Sequence, residues 1–155
     1  MSSELVVPFE TEEGYQYIVT FTEFKSIDVK FGIPLVDVSI ALLSANIETN
    51  SLKTLNKFIR IVLDYLNLNN VILYYYCDTS PVKIRRNRKE KFSNQEFRFN
   101  LFLKMFNKLK TDDYFLQAVV ITDLQNGNHY TSLISKISNK ENVELVTKEL
   151  QKFDK

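Results

Sequence analysis

The chain has 155 residues, the length of one compact domain, and with 45% hydrophobic and 25% charged residues it is not intrinsically disordered. Twenty basic and nineteen acidic residues leave a formal charge of +1, so no overall field selects nucleic acid or membrane. One cysteine excludes an internal disulfide, one histidine excludes a His-rich metal site, and three separated glycines exclude a Gly-rich phosphate loop. We therefore expect a single domain over residues 1–155, without a metal.

The N-terminal residues lack the basic and apolar stretches of a secretion signal. The longest apolar run, residues 71–77, is seven residues long, far below the ~18 that a membrane-spanning helix needs. We therefore expect a cytoplasmic protein without a membrane partner.

The first part of the chain predicts three strands. Segments 5–9 and 15–24 flank a turn at Gly14, and Pro8 places the first of them at a sheet edge because proline cannot donate a ladder hydrogen bond. Tyr15, Tyr17, Val19 and Phe21 alternate onto one face of the second strand. Segment 35–43 alternates in the same way and is the third strand.

A helix and a buried strand follow. The apolar side chains then recur with the 3.6-residue period of a helix that begins at Asn50 or Ser51; they are Leu52, Leu55, Ile59, Val62 and Leu66. Segment 71–77 is apolar on both faces, which is typical of a central strand covered on both sides. Strand, helix and strand in this order favour a parallel, right-handed crossover between 35–43 and 71–77.

The second half predicts a helix, a hairpin and a last helix. The second helix begins near Ser93 or Asn94 and carries an apolar stripe on Phe97, Leu101, Met105 and Leu109, with Phe102 and Phe106 alongside. Phe99 and Leu103 extend its apolar surface to the other side, so we expect this helix to be buried on two faces. Strands 114–123 and 129–137 are joined by the turn residues Asn126-Gly127. Val143, Val146, Leu150 and Phe153 indicate a C-terminal helix. The order β-β-β-α-β-α-β-β-α predicts an α+β fold with a mixed, mostly antiparallel sheet.

Between residues 5 and about 137, this order of elements resembles the GCN5-related N-acetyltransferase (GNAT) fold. The resemblance implies a cleft beside the third strand that holds acetyl-CoA, with its pyrophosphate at the start of the following helix. The family's Gln/Arg-x-x-Gly-x-Gly/Ala loop is absent, because residues 44–51 contain no glycine and no basic residue. The resemblance also implies Tyr76, near the end of its strand, as a general acid. It therefore predicts an acyltransferase-like domain whose activity is degenerate or absent.

Residues 74–79, the pair Arg86 and Arg88 and the Phe-rich helix are also similar to a small bacterial domain family of unknown function, chiefly from Bacteroidetes. This second resemblance covers most of the chain. It implies a shared fold and no particular chemistry.

The end of strand 71–77 is the first candidate site. Ligands of open α/β sheets bind beyond the carboxyl ends of parallel strands, which would place Tyr76 and Asp78 there as catalytic candidates. The backbone N–H groups at Asn50 and Ser51 would favour an anion, CoA-like or nucleotide. Alternatively, Asp78 simply opens a turn.

The basic segment 83–91 is the second candidate site, with six basic residues against one acidic residue. Arg85, Arg86 and Arg88 could pair with the phosphates of a nucleic acid or nucleotide, as in an accessory protein of a bacterial defence or toxin–antitoxin system. Alternatively, the segment is solvated, or it contacts the acidic residues 4–28 of a second copy in a homo-oligomer.

Cys77 and His129 could form a nucleophile–base pair, but no neighbouring residue type supports it. We expect Cys77 to be a small buried hydrophobe and His129 to be exposed after its turn. Because no nucleophile, base and orienting group are visible together, ligand binding ranks above catalysis.

Overall fold

The computed structural model describes residues 4–11, 14, 16–24, 32–42, 52–77, 94–125 and 128–152. The strands are β1 (Glu4–Glu10), β2 (Gln16–Phe24), β3 (Leu35–Leu42), β4 (Ile72–Cys77), β5 (Tyr114–Ile121) and β6 (His129–Lys136). The helices are α1 (Leu52–Leu68), α2 (Asn94–Leu109) and α3 (Lys140–Gln151), and a 3-10 turn, Ile137–Asn139, precedes α3. None of the described helices combines the length and apolar character needed to cross a membrane.

The six strands form one mixed sheet in the order β1-β2-β3-β4-β6-β5. Only β3 and β4 are parallel, and the other neighbouring strands are antiparallel. The predicted α+β class, the mostly antiparallel sheet and the parallel pair joined through a helix are therefore confirmed. The edge position predicted for the strand that contains Pro8 is confirmed as well, since β1 pairs only with β2 among the described strands.

One face of the sheet is covered by α1 and α2. Leu55 of the predicted α1 stripe is half-buried, whereas Ile59, Val62 and Leu66, together with the adjacent Phe58, are at most 1% exposed and form the buried face of the helix. They pack on buried sheet residues of the same core, namely Val19, Phe21, Val36, Val38, Leu73 and Ile134. This layer contains most of the buried apolar surface, the main favourable contribution to folding.

The side of α2 that is buried deepest is the phenylalanine side of its predicted apolar surface. Leu101, Met105 and Leu109 are only half-buried, whereas Phe102 and Phe106 are almost fully buried and belong to the core. The reason is aromatic packing, because the Phe102 ring fits between two other rings. Its centroid lies 5.9 Å from that of Phe58 and 4.7 Å from that of Tyr75.

The opposite face of the sheet is covered only in part. Val143 and Val146 of α3 share a second core with Leu133, Val119 and Ile121, so α3 packs on β5 and β6. On the same face, β1, β2 and β3 present the cross-strand row Val6, Thr20 and Ser39. Val6 and Ser39 are exposed and Thr20 is half-buried, so this half of the face carries little apolar cover.

Burial along β4 corrects the expectation of a strand covered on both sides throughout. Val71, Ile72 and Leu73 are buried, but Tyr74–Tyr76 are half-buried. α3 packs mainly over β5 and β6; its core also reaches Ile72 and Tyr74 of β4, and Tyr76 on the same face stays half-buried. Smaller differences concern strand ends: β5 ends at Ile121, and β6 ends at Lys136, just before the 3-10 turn.

We expect Phe58→Ala to lower the free energy of unfolding by about 3–5 kcal/mol, since it removes a buried ring and leaves a cavity between Tyr75 and Phe102. The exposed Asp64 of the same helix offers a matched control, and Asp64→Ala should change stability by no more than about 0.5 kcal/mol. Urea unfolding followed by circular dichroism measures both. Equal effects of the two substitutions would contradict the assignment of the core.

Candidate functional site

The parallel ladder between β3 and β4 is short. It joins four residue pairs, from Leu35↔Ile72 to Val38↔Tyr75. β3 then continues to Leu42 along β2, and β4 continues to Cys77 along β6. No further pair joins β3 to β4 within their described lengths, so the two halves of the sheet part here. We place the candidate cleft at the carboxyl ends of the two parallel strands, where open sheets bind ligands.

Asp37 and Tyr74 face each other in the ladder just before this parting. Burial, together with the nearby charges of Tyr76 and Asp37, raises the pKa of Tyr74 to about 12, and burial contributes most. Burial also raises the pKa of the Asp37 carboxyl above its ordinary value. The low polarity of this position thus disfavours charge on both side chains.

Three polar side chains are hydrogen-bonded in series beside the end of β4. The Tyr76 hydroxyl lies 2.8 Å from His129 Nδ1, and His129 Nε2 lies 3.2 Å from Asp123 Oδ2. The other carboxylate oxygen of Asp123 accepts a hydrogen bond of 3.0 Å from the Gln125 backbone N–H. We call this series of Tyr76, His129 and Asp123 the Tyr-His-Asp series.

Each member of the series is positioned by a different strand. Tyr76 is next to last in β4 and pairs with Thr131 of β6, while His129 is the first residue of β6. Because alternate residues share a face, Tyr76, His129 and Thr131 all lie on the α3 side of the sheet. Asp123 follows the end of β5, whose Ile121 pairs with His129 across the hairpin.

When the Asp123 carboxyl is ionised, it determines how the imidazole is protonated. A carboxylate only accepts hydrogen bonds, so Nε2 must carry the hydrogen that it donates to Asp123. In the neutral ring Nδ1 is then the acceptor, and the Tyr76 hydroxyl donates to it. The Asp123 side chain is 8% exposed and that of His129 33%, so the series runs from the interior towards solvent.

The structure includes Tyr76 of the predicted site, and most of the other predicted site residues lie outside the part it describes. The latter are Asp78, Asn50, Ser51, Arg85, Arg86 and Arg88, together with the whole basic segment 83–91. The backbone of Cys77 belongs to β4, and its side chain is not among those described.

The prediction of an exposed His129 was wrong. Its imidazole is half-buried, and its two nitrogens bond Tyr76 and Asp123 rather than a cysteine. The turn signal Asn126-Gly127 in the sequence could have indicated that Asp123 and His129 come together, because a hairpin brings the end of one strand beside the start of the next. The partnership with Tyr76 depends on the register between β4 and β6, for which the sequence offers no local signal.

Two further observations concern other kinds of site. In the described ranges, no group of three or more His, Cys, Asp or Glu side chains could hold a metal ion. A shallow depression of about 320 Å³ lies along the end of β1 and the start of β2, lined by Pro8, Phe9, Glu10, Gln16 and Tyr17. Since β3 separates these strands from β4, this depression is distinct from the cleft.

We expect the phenol of Tyr74 to ionise with a midpoint near pH 12, obtained as the difference between the ultraviolet titration curves of the wild type and Tyr74→Phe. The pKa of Tyr74 in the folded protein lies above its value of about 10 in the unfolded chain, so Tyr74 contributes its full stability to the fold below about pH 10. This contribution is lost as the pH rises through about 12, and Tyr74→Phe should reduce the alkaline loss of stability. A difference curve centred near pH 10 in the folded protein would contradict the burial of this phenol.

Comparisons of the chain with protein-family models, with curated proteins and with solved structures give no match. The functional interpretation therefore depends on two features of the molecule itself. They are the parting of β3 from β4 and the Tyr-His-Asp series next to it.

Proposed function

We propose that the chain is a small acyltransferase-like domain of the GNAT type that binds an anionic ligand of the CoA or nucleotide class in the cleft between β3 and β4. The observation that carries the proposal is the parallel ladder that ends at Val38↔Tyr75 while both strands continue. A closed ladder to the strand ends would leave no room for a ligand between them.

The open edge of β3 suits an extended molecule that contains amides. Beyond Val38, β3 pairs with β2 on one side only, so the backbone groups of Ser39–Leu42 that face β4 have no ladder partner among the described residues. An extended chain with amide groups, such as the pantetheine arm of CoA, can bond such an edge as an added strand would. Each backbone hydrogen bond would contribute about 0.5–1.5 kcal/mol.

The following helix supports the anionic part of the proposal. α1 leaves the crossover that joins β3 to β4, and its first turn contains no acidic residue. The free N–H groups and the positive dipole end of a helix favour a negative group such as a phosphate. The absent glycine loop argues for binding with degenerate or absent acetyl transfer.

Calorimetric titration of the protein with CoA, ATP and pantetheine tests the proposal. We expect CoA to bind more tightly than either of the other two, because it combines the phosphates with the amide chain. Equal affinities for ATP and CoA would indicate a nucleotide site without amide recognition. Absence of binding by both CoA and ATP would refute the proposal.

A pair of variants locates the ligand. Ser39 is exposed and is the first residue of β3 after the last pair with β4. We expect Ser39→Trp to fill the opening and to weaken CoA binding at least about tenfold, or 1.4 kcal/mol. Val6 lies in the same cross-strand row and is equally open, so Val6→Trp is the matched control and should bind CoA as the wild type does. Equal affinities of the two variants would place the ligand elsewhere.

A further inference from the structure

We propose that the Tyr-His-Asp series is a proton relay, in which the Tyr76 oxygen removes a proton from a hydroxyl- or amine-bearing substrate while its own proton passes to His129 Nδ1. This goes beyond ligand binding because it assigns chemistry to the site. The geometry on which it rests is the pair of hydrogen bonds, of 2.8 Å and 3.2 Å, that joins the three side chains in order.

The direction of proton flow follows from the acceptor at the buried end. Asp123 holds the hydrogen of the neutral imidazole at Nε2, which leaves the lone pair of Nδ1 directed at the Tyr76 hydroxyl. When Tyr76 Oη takes a proton from the substrate, its former O–H bond breaks and an Nδ1–H bond forms. The resulting imidazolium lies between Tyr76 and the Asp123 carboxylate, which stabilises its charge.

Anchoring of the carboxylate keeps the relay in this state. Asp123 is 7% exposed, and its second oxygen accepts the Gln125 N–H, so the carboxylate has a fixed orientation. Thr131, between Tyr76 and His129 on the same face, donates its own hydroxyl to the Val119 carbonyl at 2.7 Å and does not compete for the imidazole. Asp123 is thus a positioning residue, and Tyr76 is the group that meets the substrate.

The other charged and titratable groups around the relay come from three elements. On β4, Tyr74 lies close enough to Tyr76 for the charge of Tyr76 to raise the pKa of Tyr74, and Asp37 faces Tyr74 from β3. On α3, which packs over β5 and β6, Lys140, Glu141, Glu144 and Lys148 are exposed, and Glu149 pairs with Lys152 at 2.7 Å. Of the described contacts to the imidazole, those with Tyr76 and Asp123 involve titratable side chains.

The outer end of the relay lies beside the cleft, since Tyr76 directly follows Tyr75, the last β4 residue paired with β3. The identification of the substrate as an acyl acceptor rests on the proposed function, whereas the relay itself does not. With a thioester bound in the cleft, the hydroxyl or neutral amine attacks the acyl carbon as its proton passes to Tyr76 Oη, and the C–S bond breaks. The leaving thiolate then takes a proton from Tyr76, which regains its own from His129, so that protons balance over the cycle.

Nuclear magnetic resonance of protein labelled with ¹⁵N-histidine tests the relay without ambiguity, because His129 is the only histidine in the chain. In the neutral imidazole of the wild type, we expect the proton on Nε2 and a hydrogen-bonded lone pair on Nδ1. A proton on Nδ1 in the wild type would overturn the proposal.

Asp123→Asn makes the test sharper. The amide oxygen can keep the bond from the Gln125 N–H, which directs the amide NH₂ group at His129 Nε2. Nε2 must then accept, so the proton moves to Nδ1 and the bond with Tyr76 reverses. An inverted tautomer in a folded variant supports the relay, and an unchanged tautomer refutes it. Should Asp123→Asn fail to fold, Tyr76→Phe provides the second variant: loss of the hydrogen-bond shift at Nδ1 supports the series, and an unaltered Nδ1 signal refutes it.

Chemical reactivity distinguishes a relay from a purely structural contact. N-acetylimidazole acetylates tyrosine oxygens, and peptide mass spectrometry measures the rate at Tyr76. We expect Asp123→Asn to slow this reaction about a hundredfold, the size of effect typical of a positioned base. Tyr130→Phe is the matched control, because Tyr130 lies on the opposite face against Phe99 and should leave the rate at Tyr76 unchanged. Equal rates at Tyr76 in the wild type and Asp123→Asn would overturn the relay.

Calorimetry with CoA separates this proposal from the proposed function. Asp123→Asn should bind CoA as the wild type does, because Asp123 lies after β5, away from β3. CoA binding with an unchanged tautomer and acetylation rate would refute the relay alone. An inverted tautomer and a slowed rate in a protein that does not bind CoA would support the relay and refute the acyl-acceptor assignment.

Discussion

The pairing of β3 with β4 is the constraint on which the rest of the molecule depends. These are the only parallel neighbours among the described strands, and a parallel pair requires a crossover, here through α1. The crossover places α1 over the sheet, where its buried side chains complete the larger core together with those of α2. The same pairing joins the β1-β2-β3 meander to the β4-β6-β5 half, so both halves belong to one sheet.

The limited length of this pairing creates the candidate site. Beyond Val38 each strand follows its antiparallel neighbour, β3 along β2 and β4 along β6, and sheet twist separates strands that no longer share hydrogen bonds. The uneven cover of the sheet adds to this effect, because α3 packs over β5 and β6 and leaves Tyr74 and Tyr76 half-buried. Two features therefore lie beside the candidate cleft. One is the pair of Tyr74 and Asp37, whose charged forms are disfavoured by burial, and the other is the Tyr-His-Asp series, which starts at Tyr76.

Much of the fold could be predicted because its signals are local. The change in the spacing of apolar side chains, from every second residue to every 3.6 residues, located α1. Pro8 indicated an edge strand, and the run that is apolar on both faces identified β4 as a central strand. Several apolar sides were predicted for α2, and no local pattern tells which of them is buried deepest, because ring packing between Phe58 and Tyr75 selects Phe102. The open second half of β4 was also missed, since the position of α3 depends on packing between elements distant in sequence.

The amino-acid sequence by itself determined the class of fold, the location of most elements and the parallel crossover, since periodicity, turn residues and proline act over a few neighbouring positions. The tertiary structure decided which side chains meet at the candidate site. Tyr76 and His129 are 53 positions apart, and their hydrogen bond depends on the register between β4 and β6. A shift of one residue in that register would turn one of the two side chains to the other face of the sheet. The register results from the combined packing of both cores and both helical layers, which no local pattern encodes.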